Sequence, residues 1–209
     1  RIAFGVAISS IGMALAVGAA LGLIGGYFGG WPDVVIGRVM DIWFSFPTLI
    51  LAIAIAAMLG PGLDNAVLAI AVVYAPLFSR VTRGSVIAER AKDHVVAALG
   101  MGAGAPRIVF RHILPNIAAP LIVQASVSLA YAILTEASLS YLGLGTQPPD
   151  PSWGTMLNEG RTYLETAPWM SIFPGLAIML AVLAFNLCGD GLRRPSLQCR
   201  QPCEPQRDE

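Results

Sequence analysis

Glu136 is the only acid that closes a spanning segment from within its apolar pattern. A carboxylate there can relay protons, touch a substrate or pair with polar neighbours. With Ser138 and Ser140 close behind it, the structural pairing is the expected role, and a contact in a pathway is the alternative. The run Gly100-Met101-Gly102-Ala103-Gly104 suggests a phosphate cradle. Such a loop follows a strand and carries Gly-Lys-Ser/Thr. No strand pattern precedes this run, and the single lysine, Lys92, follows Ala91, so no nucleotide site is expected. Cys199 and Cys203 form a Cys-x3-Cys pair without a nearby histidine, and Cys188 ends an apolar segment, so neither a metal centre nor a disulfide framework is expected. His94 and His112 suit docking or surface roles. No nucleophile, base and acid fall together, so neither enzyme activity nor a cofactor is expected.

The elements that carry these residues are membrane helices. The chain is 56% hydrophobic and 12% charged, with a mean hydropathy of +0.68, outside the range of soluble domains. Residues 2–32, 42–63, 113–135 and 166–189 contain no Asp, Glu, Lys or Arg. Each run exceeds the ~20 helical residues that cross a ~30 Å hydrocarbon core. The shorter run 65–79 spans if Asp64 and Asn65 sit at one interface and Arg80 snorkels at the other. The expected architecture is all-α, a polytopic transmembrane bundle with helices at about 3–28, 40–60, 64–82, 117–140 and 168–188. Gly18, Gly22, Gly26 and Gly30 recur every fourth residue, a small-residue face that lets another helix approach closely. Pro47, Pro76, Pro120 and Pro174 are expected to kink their helices.

Placing the 80–116 segment in the cytoplasm puts eleven of the thirteen Lys/Arg on that side, leaving Arg1 and Arg161 outside. The N-terminus then lies outside, and the first residue is Arg, so an upstream helix is expected to be missing. Residues 1–192 read as one transmembrane domain with a cytoplasmic loop at 83–116 and an external loop at 141–167. Residues 193–209 read as a polar, disordered cytoplasmic tail. Formal net charge is zero, so charge balance says nothing about nucleic acid or acidic ligands, and no nucleic-acid partner is expected.

The 80–116 segment holds six of the thirteen basic residues against two acids. Over 86–99, Val86, Ile87, Val95, Ala98 and Leu99 gather on one side and leave Glu89, Arg90, Lys92 and Asp93 solvated. The glycine run then breaks the helix, Pro106 opens a second one, and RHILPN ends that one at Pro115. A helix, a glycine turn and a helix, with Ala97 and Ala98 beside the turn, form a docking element whose basic flank steers a partner.

The stretch AALGMGAGAPRIVFRHILPN resembles the cytoplasmic signature of ABC importer permeases, at Ala97, Ala98, Gly102, Leu114 and Pro115. GLIGGYFGGWPD, EASLSYLGLGTQPPDPSWG and FNLCGDGL are similar to segments of the C-type subunit of the dipeptide/oligopeptide (nickel) family. The resemblance covers nearly all of residues 5–192. It implies a six-helix permease half, of which five spans are visible, in a bacterial inner membrane and in contact with membrane lipid. It also implies a homologous permease subunit, two ATP-binding subunits, an extracytoplasmic substrate-binding protein and a peptide substrate. Ala97, Ala98 and Gly102 inherit the role of coupling helix, and Leu114 and Pro115 close the motif.

Two departures stand out. Val96 replaces the glutamate that usually opens the signature, and the end after GDGLR differs from the short family terminus. The implied mechanism is alternating access driven by closure of the ATPase dimer. The resemblance leaves the substrate open among dipeptides, oligopeptides, glutathione-like compounds and nickel complexes. The competing readings are a degenerate fragment that transports nothing and an ATP-independent secondary transporter or channel. A secondary transporter or channel should carry several embedded charges or a repeat with broken helices.

Overall fold

The glycine face meets its partner on the fourth long helix. In the computed structural model, which describes residues 1–198, helix α1 spans Ile2–Phe28, α2 Gly30–Phe44, α3 Thr48–Leu59 and α4 Leu63–Arg90. A methyl group placed on Gly18 would stand 2.7 Å from Cβ of Phe78, one on Gly22 2.6 Å from Cβ of Thr82, and one on Gly26 2.9 Å from Cβ of Val86. Only hydrogen fits at those positions, so the two backbones touch and dispersion replaces the hydrophobic drive that lipid removes. Gly30 is not on this face: α1 ends at Phe28, and Gly30 opens α2 with φ +61°, a conformation that favours glycine.

The seam also fixes direction. Gly18, Gly22 and Gly26 meet α4 at successively later residues, so α1 and α4 run parallel. The chain between them must therefore return across the membrane once. It does so through a broken pair: α2 and α3 meet at 92° around Ser45, Phe46 and Pro47. This replaces the single helix expected over 40–60. Pro47 has an extended backbone and stands immediately before α3, where its missing N–H costs nothing and the residue before it is turned away from helical geometry. Pro76 and Pro120 lie inside continuous helices, so among these prolines the break falls only at Pro47.

Beyond α4 come α5 (Asp93–Gly100), α6 (Ala105–Ile108), a single π-turn (Val109–Ile113), α7 (Leu114–Tyr141), α8 (Trp153–Arg161) and α9 (Trp169–Gln198). Three differences from the sequence expectations follow. Helix α4 continues to Arg90 rather than stopping at 82. The helix after the glycine turn does not stop at Pro115, and Ala105–Tyr141 forms one 37-residue helical run. Pro115 falls in the first turn of α7 directly after the π-turn, where the local widening of the helix accommodates a residue without an N–H. Helix α9 continues past residue 192 to Gln198, while the rest of the tail expected over 193–209 lies outside the described residues.

Four helical runs are long and apolar enough to cross a membrane, and five if the broken pair counts as one crossing. Their outward faces are apolar: Ile172, Phe173, Met179, Leu180 and Leu187 of α9 are all more than half exposed. A soluble helix of this size would bury that stripe; here it faces lipid or another membrane helix. The inner core runs through Ile11, Ile70, Phe78, Ile133 and Leu139, joining α1, α4 and α7.

Candidate functional site

At the end of the bundle rich in basic residues, α5 and α6 form a projecting elbow. Val95, Ala98, Ile108 and Ile113 are buried with Tyr27, Val86 and Ile117, and Leu114 packs half-buried against them. This second core seats the elbow on the ends of α1, α4 and α7. The turn between the two helices is a Schellman closure. Gly102 N–H donates to the Leu99 carbonyl (3.0 Å), and Ala103 N–H donates to that of Ala98 (3.1 Å). Gly102 has φ +79°, so backbone conformation rather than space favours glycine; a side chain there would meet nothing within 4 Å.

The outer side of the elbow is apolar and bare. Val96, Leu99, Met101 and Phe110 are exposed, Met101 by 82%. Ala97, Arg107 and Arg111 are exposed beside them. The five residues of the sequence motif therefore divide. Ala97 and Gly102 lie on the open surface, Ala98 and Leu114 on the floor, and Pro115 is exposed at the start of α7. Three expected placements are corrected: Ile87 and Leu99 point outward, and Glu89 is buried at 3% exposure rather than solvated. Glu89 is buried because the chain after α4 folds back over it. Lys92 Nζ stands 2.5 Å from one carboxylate oxygen, and His94 Nε2 stands 3.4 Å from the other. His112 lies beside His94, with ring centroids 6.4 Å apart. No group of three metal-ligating side chains occurs among the described residues.

Polar ties that sequence reasoning missed hold this end together. Arg83 grips Asp33 with a two-pronged ion pair, Nη2 to Oδ2 at 2.6 Å and Nε to Oδ1. Arg80 donates to Asp41 at 3.0 Å and lies over the Phe44 ring at 4.0 Å. Together they fasten α2 along α4. The signal was present, since Arg80 and Arg83 share one helical face, as do Asp33 and Asp41. Arg90 donates to the Tyr27 carbonyl at 2.7 Å, placing a cation on the last turn of α1, where the helix dipole is negative.

Glu136 stands near the opposite end, apart from the elbow, and is fully buried. Its Oε1 accepts from Ser140 Oγ (2.8 Å) and from Thr146 Oγ1 (3.3 Å), and Ser140 Oγ accepts from Thr146 N–H (3.0 Å). Ser138 instead donates to the Leu134 carbonyl. The carboxylate therefore ties the loop after α7 back onto that helix. Gly154 of α8 packs on the same turn, where an added methyl would stand 2.8 Å from Ser140 Cβ. Ser152, next along the chain, caps α8 reciprocally with Thr155. Glu136 Oε2 has no hydrogen-bond partner among the described residues.

A helical bundle with parallel α1 and α4, one broken crossing and a projecting basic elbow defines a multi-pass membrane protein. A solved chain of the MetNI methionine ABC transporter, in an inward-facing conformation, has the same fold. Its TM-score is 0.74 at 19% identity, covering 93% of this chain and 92% of that one. Residues 18–194 match the model of the family described as the binding-protein-dependent transport system inner membrane component, and the chain belongs to that family. It is 49% identical over 193 residues to a dipeptide transport system permease protein of Alkalihalophilus pseudofirmus. It is 49% identical to a di/tripeptide transport system permease protein of Pseudomonas aeruginosa and 46% identical to a glutathione transport system permease protein of Pectobacterium atrosepticum. Each alignment covers 92% of this chain and 64% of the relative, so the chain spans slightly less than two thirds of their length.

Proposed function

We propose that this chain is a permease subunit of an ATP-binding-cassette importer. In this reading it forms half of a translocation pathway for di- or oligopeptides. It pairs with a homologous permease subunit and receives substrate from an extracytoplasmic binding protein. Hydrolysis belongs to two separate ATP-binding subunits on the cytoplasmic side, which meet the elbow formed by α5 and α6. Family membership supplies the class of protein. The observation that carries the assignment of the elbow is its division into two faces: a buried floor of Val95, Ala98, Ile108 and Ile113, and an exposed apolar ridge of Val96, Leu99 and Met101 flanked by arginines. An apolar ridge outside the bundle with a positive rim suits a groove in a soluble partner. The naming of relatives for dipeptide, di/tripeptide and glutathione transport supports a short peptide as substrate.

Co-purification tests the reading. The chain is expressed with candidate partner permease and ATP-binding subunits, alongside Ala97→Arg. Ala97 is exposed, so an arginine there obstructs docking without entering the core. The same change at Ala98 would disrupt the elbow itself. Retention of the ATP-binding subunits by the native chain and loss with Ala97→Arg is the expected result. Equal retention by both places the contact elsewhere, and no retention by the native chain favours a non-transporting or ATP-independent protein.

A further inference from the structure

A cavity of about 410 Å³ opens between α3, α4 and α7, lined by leucines and by Thr48, Tyr74, Tyr131, Thr135 and Ser138, with no charged side chain. Gly62 N–H donates to the Leu144 carbonyl, so the end of α3, the start of α4 and the end of α7 lie at one level. At 1.5 Å per residue from Leu59, Leu63 and Tyr141, residues Thr48, Tyr74 and Tyr131 are all about 15–17 Å in. That is the middle of a ~30 Å hydrocarbon core. Thr135 and Ser138 continue the line toward the end that carries Glu136.

Hydroxyls at that depth need a partner that can hydrogen-bond. Thr135 and Ser138 donate to carbonyls of their own helix (2.9 and 2.8 Å) and keep acceptor lone pairs. Tyr74 bonds to Thr135 at 3.2 Å. Thr48 is exposed and Tyr131 is 57% exposed, and neither side chain has a hydrogen bond among the described residues. Lipid tails offer these groups nothing. Another helix offers little more, because its N–H and C=O groups are engaged internally. An extended peptide carries an unengaged N–H and C=O at every residue, and a hydroxyl both donates and accepts. By contrast, the cavity beside Met13, Val17 and Leu21 is almost wholly apolar and suits lipid.

We infer that the hydroxyl-lined cavity is where this chain holds a peptide in transit, by its backbone amides rather than its side chains. The inference rests on the importer reading and assigns the contact within it. A charge-free surface that addresses only the backbone accepts peptides irrespective of side-chain charge. The size suits it, since ligand pockets run from about 300 to 1,000 Å³.

The test is Thr48→Val/Tyr131→Phe/Ser138→Ala, which preserves shape and removes three hydroxyls that make no inter-helix bond. In proteoliposomes holding the complete transporter, uptake of a labelled tripeptide should fall about tenfold or more, as expected for three neutral hydrogen bonds. The assembled complex should be recovered in equal yield. Undiminished uptake overturns the inference. So does loss of the partner permease subunit from the variant, which would make the cavity a seam between subunits. As a second measurement, Tyr131→Cys, with Cys188, Cys199 and Cys203 replaced by serine, is labelled by a thiol reagent in the complex. Saturating tripeptide should slow labelling several-fold, and labelling indifferent to tripeptide overturns the inference. A native transporter that assembles but takes up no peptide overturns the importer reading and this one with it. Native uptake matched by the triple variant overturns this one alone.

Discussion

Gly22→Ala tests whether the fold depends on backbone contact along the α1–α4 seam. The new methyl would stand 2.6 Å from Thr82 Cβ and 3.0 Å from the Arg83 nitrogen, whereas non-bonded carbons rest about 3.5–4.0 Å apart. The helices must part by roughly 1 Å, which forfeits a quarter to a half of each neighbouring dispersion contact. Overpacking of this kind costs about 1–3 kcal/mol, against which alanine recovers up to about 1 kcal/mol of helix propensity. The expected net loss is about 1–2 kcal/mol. Gly12 is the control, because a methyl there meets nothing within 4 Å. Gly12→Ala should leave stability unchanged or raise it. Thermal unfolding in detergent should show Gly22→Ala melting roughly 2–8 °C below the native chain, taking about 2–4 °C per kcal/mol. If both variants shift alike, α1 and α4 do not touch backbone to backbone at Gly22.

Three further outcomes are expected. Gly102→Asn should keep its elbow and Gly102→Val should lose it, because asparagine tolerates φ > 0 and a β-branched residue does not; limited proteolysis between Gly100 and Ala105 separates the two. Asp33→Asn and Arg83→Gln should show a coupling of up to about 1 kcal/mol in a double-mutant cycle on unfolding, since the pair is partly solvated; additive effects would deny that it fastens α2. Glu136→Gln, which can still accept from Ser140 and Thr146, should retain uptake in the assembled transporter. Glu136→Leu should destabilise by about 1–3 kcal/mol by leaving those hydroxyls unpaired, and abolished uptake with normal folding in the glutamine variant would restore a direct pathway role.

What the sequence revealed and what it hid divide along one line. Crossings, the glycine seam and the helix opened by Pro106 depend on composition and spacing, which are local. A kink at Pro47 was legible, but its 92° size was hidden because the charge-free run 42–63 is long enough to span unbroken, and hydropathy carries no direction. The buried Glu89 was hidden for a related reason. An acid reads as solvated unless its partners are known, and Lys92 and His94 reach it only after the chain turns at Ala91. The same limit applied to the motif residues. Helical spacing put Ala98 on the apolar side with Val86 and Val95, but it put Ile87 and Leu99 there too, and only the second core separates floor from surface. Resemblance named both Ala97 and Ala98, and the structure distinguishes the one that a partner can touch.

The elbow and the hydroxyl cavity are joined by a single element. Ala105 to Tyr141 is one helical run with a π-turn at Val109–Ile113, so the segment beneath the elbow is continuous with the segment carrying Tyr131, Thr135 and Ser138. Helix α4 links the same two regions, with Val86 and Glu89 at the elbow and Tyr74 in the cavity, and the glycine seam locks α1 to it. In the importer reading, a push on the ridge of Val96, Leu99 and Met101 reaches both walls of the cavity through α4 and α7, with strain relieved at the 92° corner by Pro47. In the importer reading, ATP-driven motion at the basic end has a stiff route to mid-membrane. The one wall free to lag is α3, attached through the corner rather than through a continuous helix. In the importer reading, the cavity rearranges as α4 and α7 move past Thr48 and Leu49, which changes the hydroxyls that face the peptide.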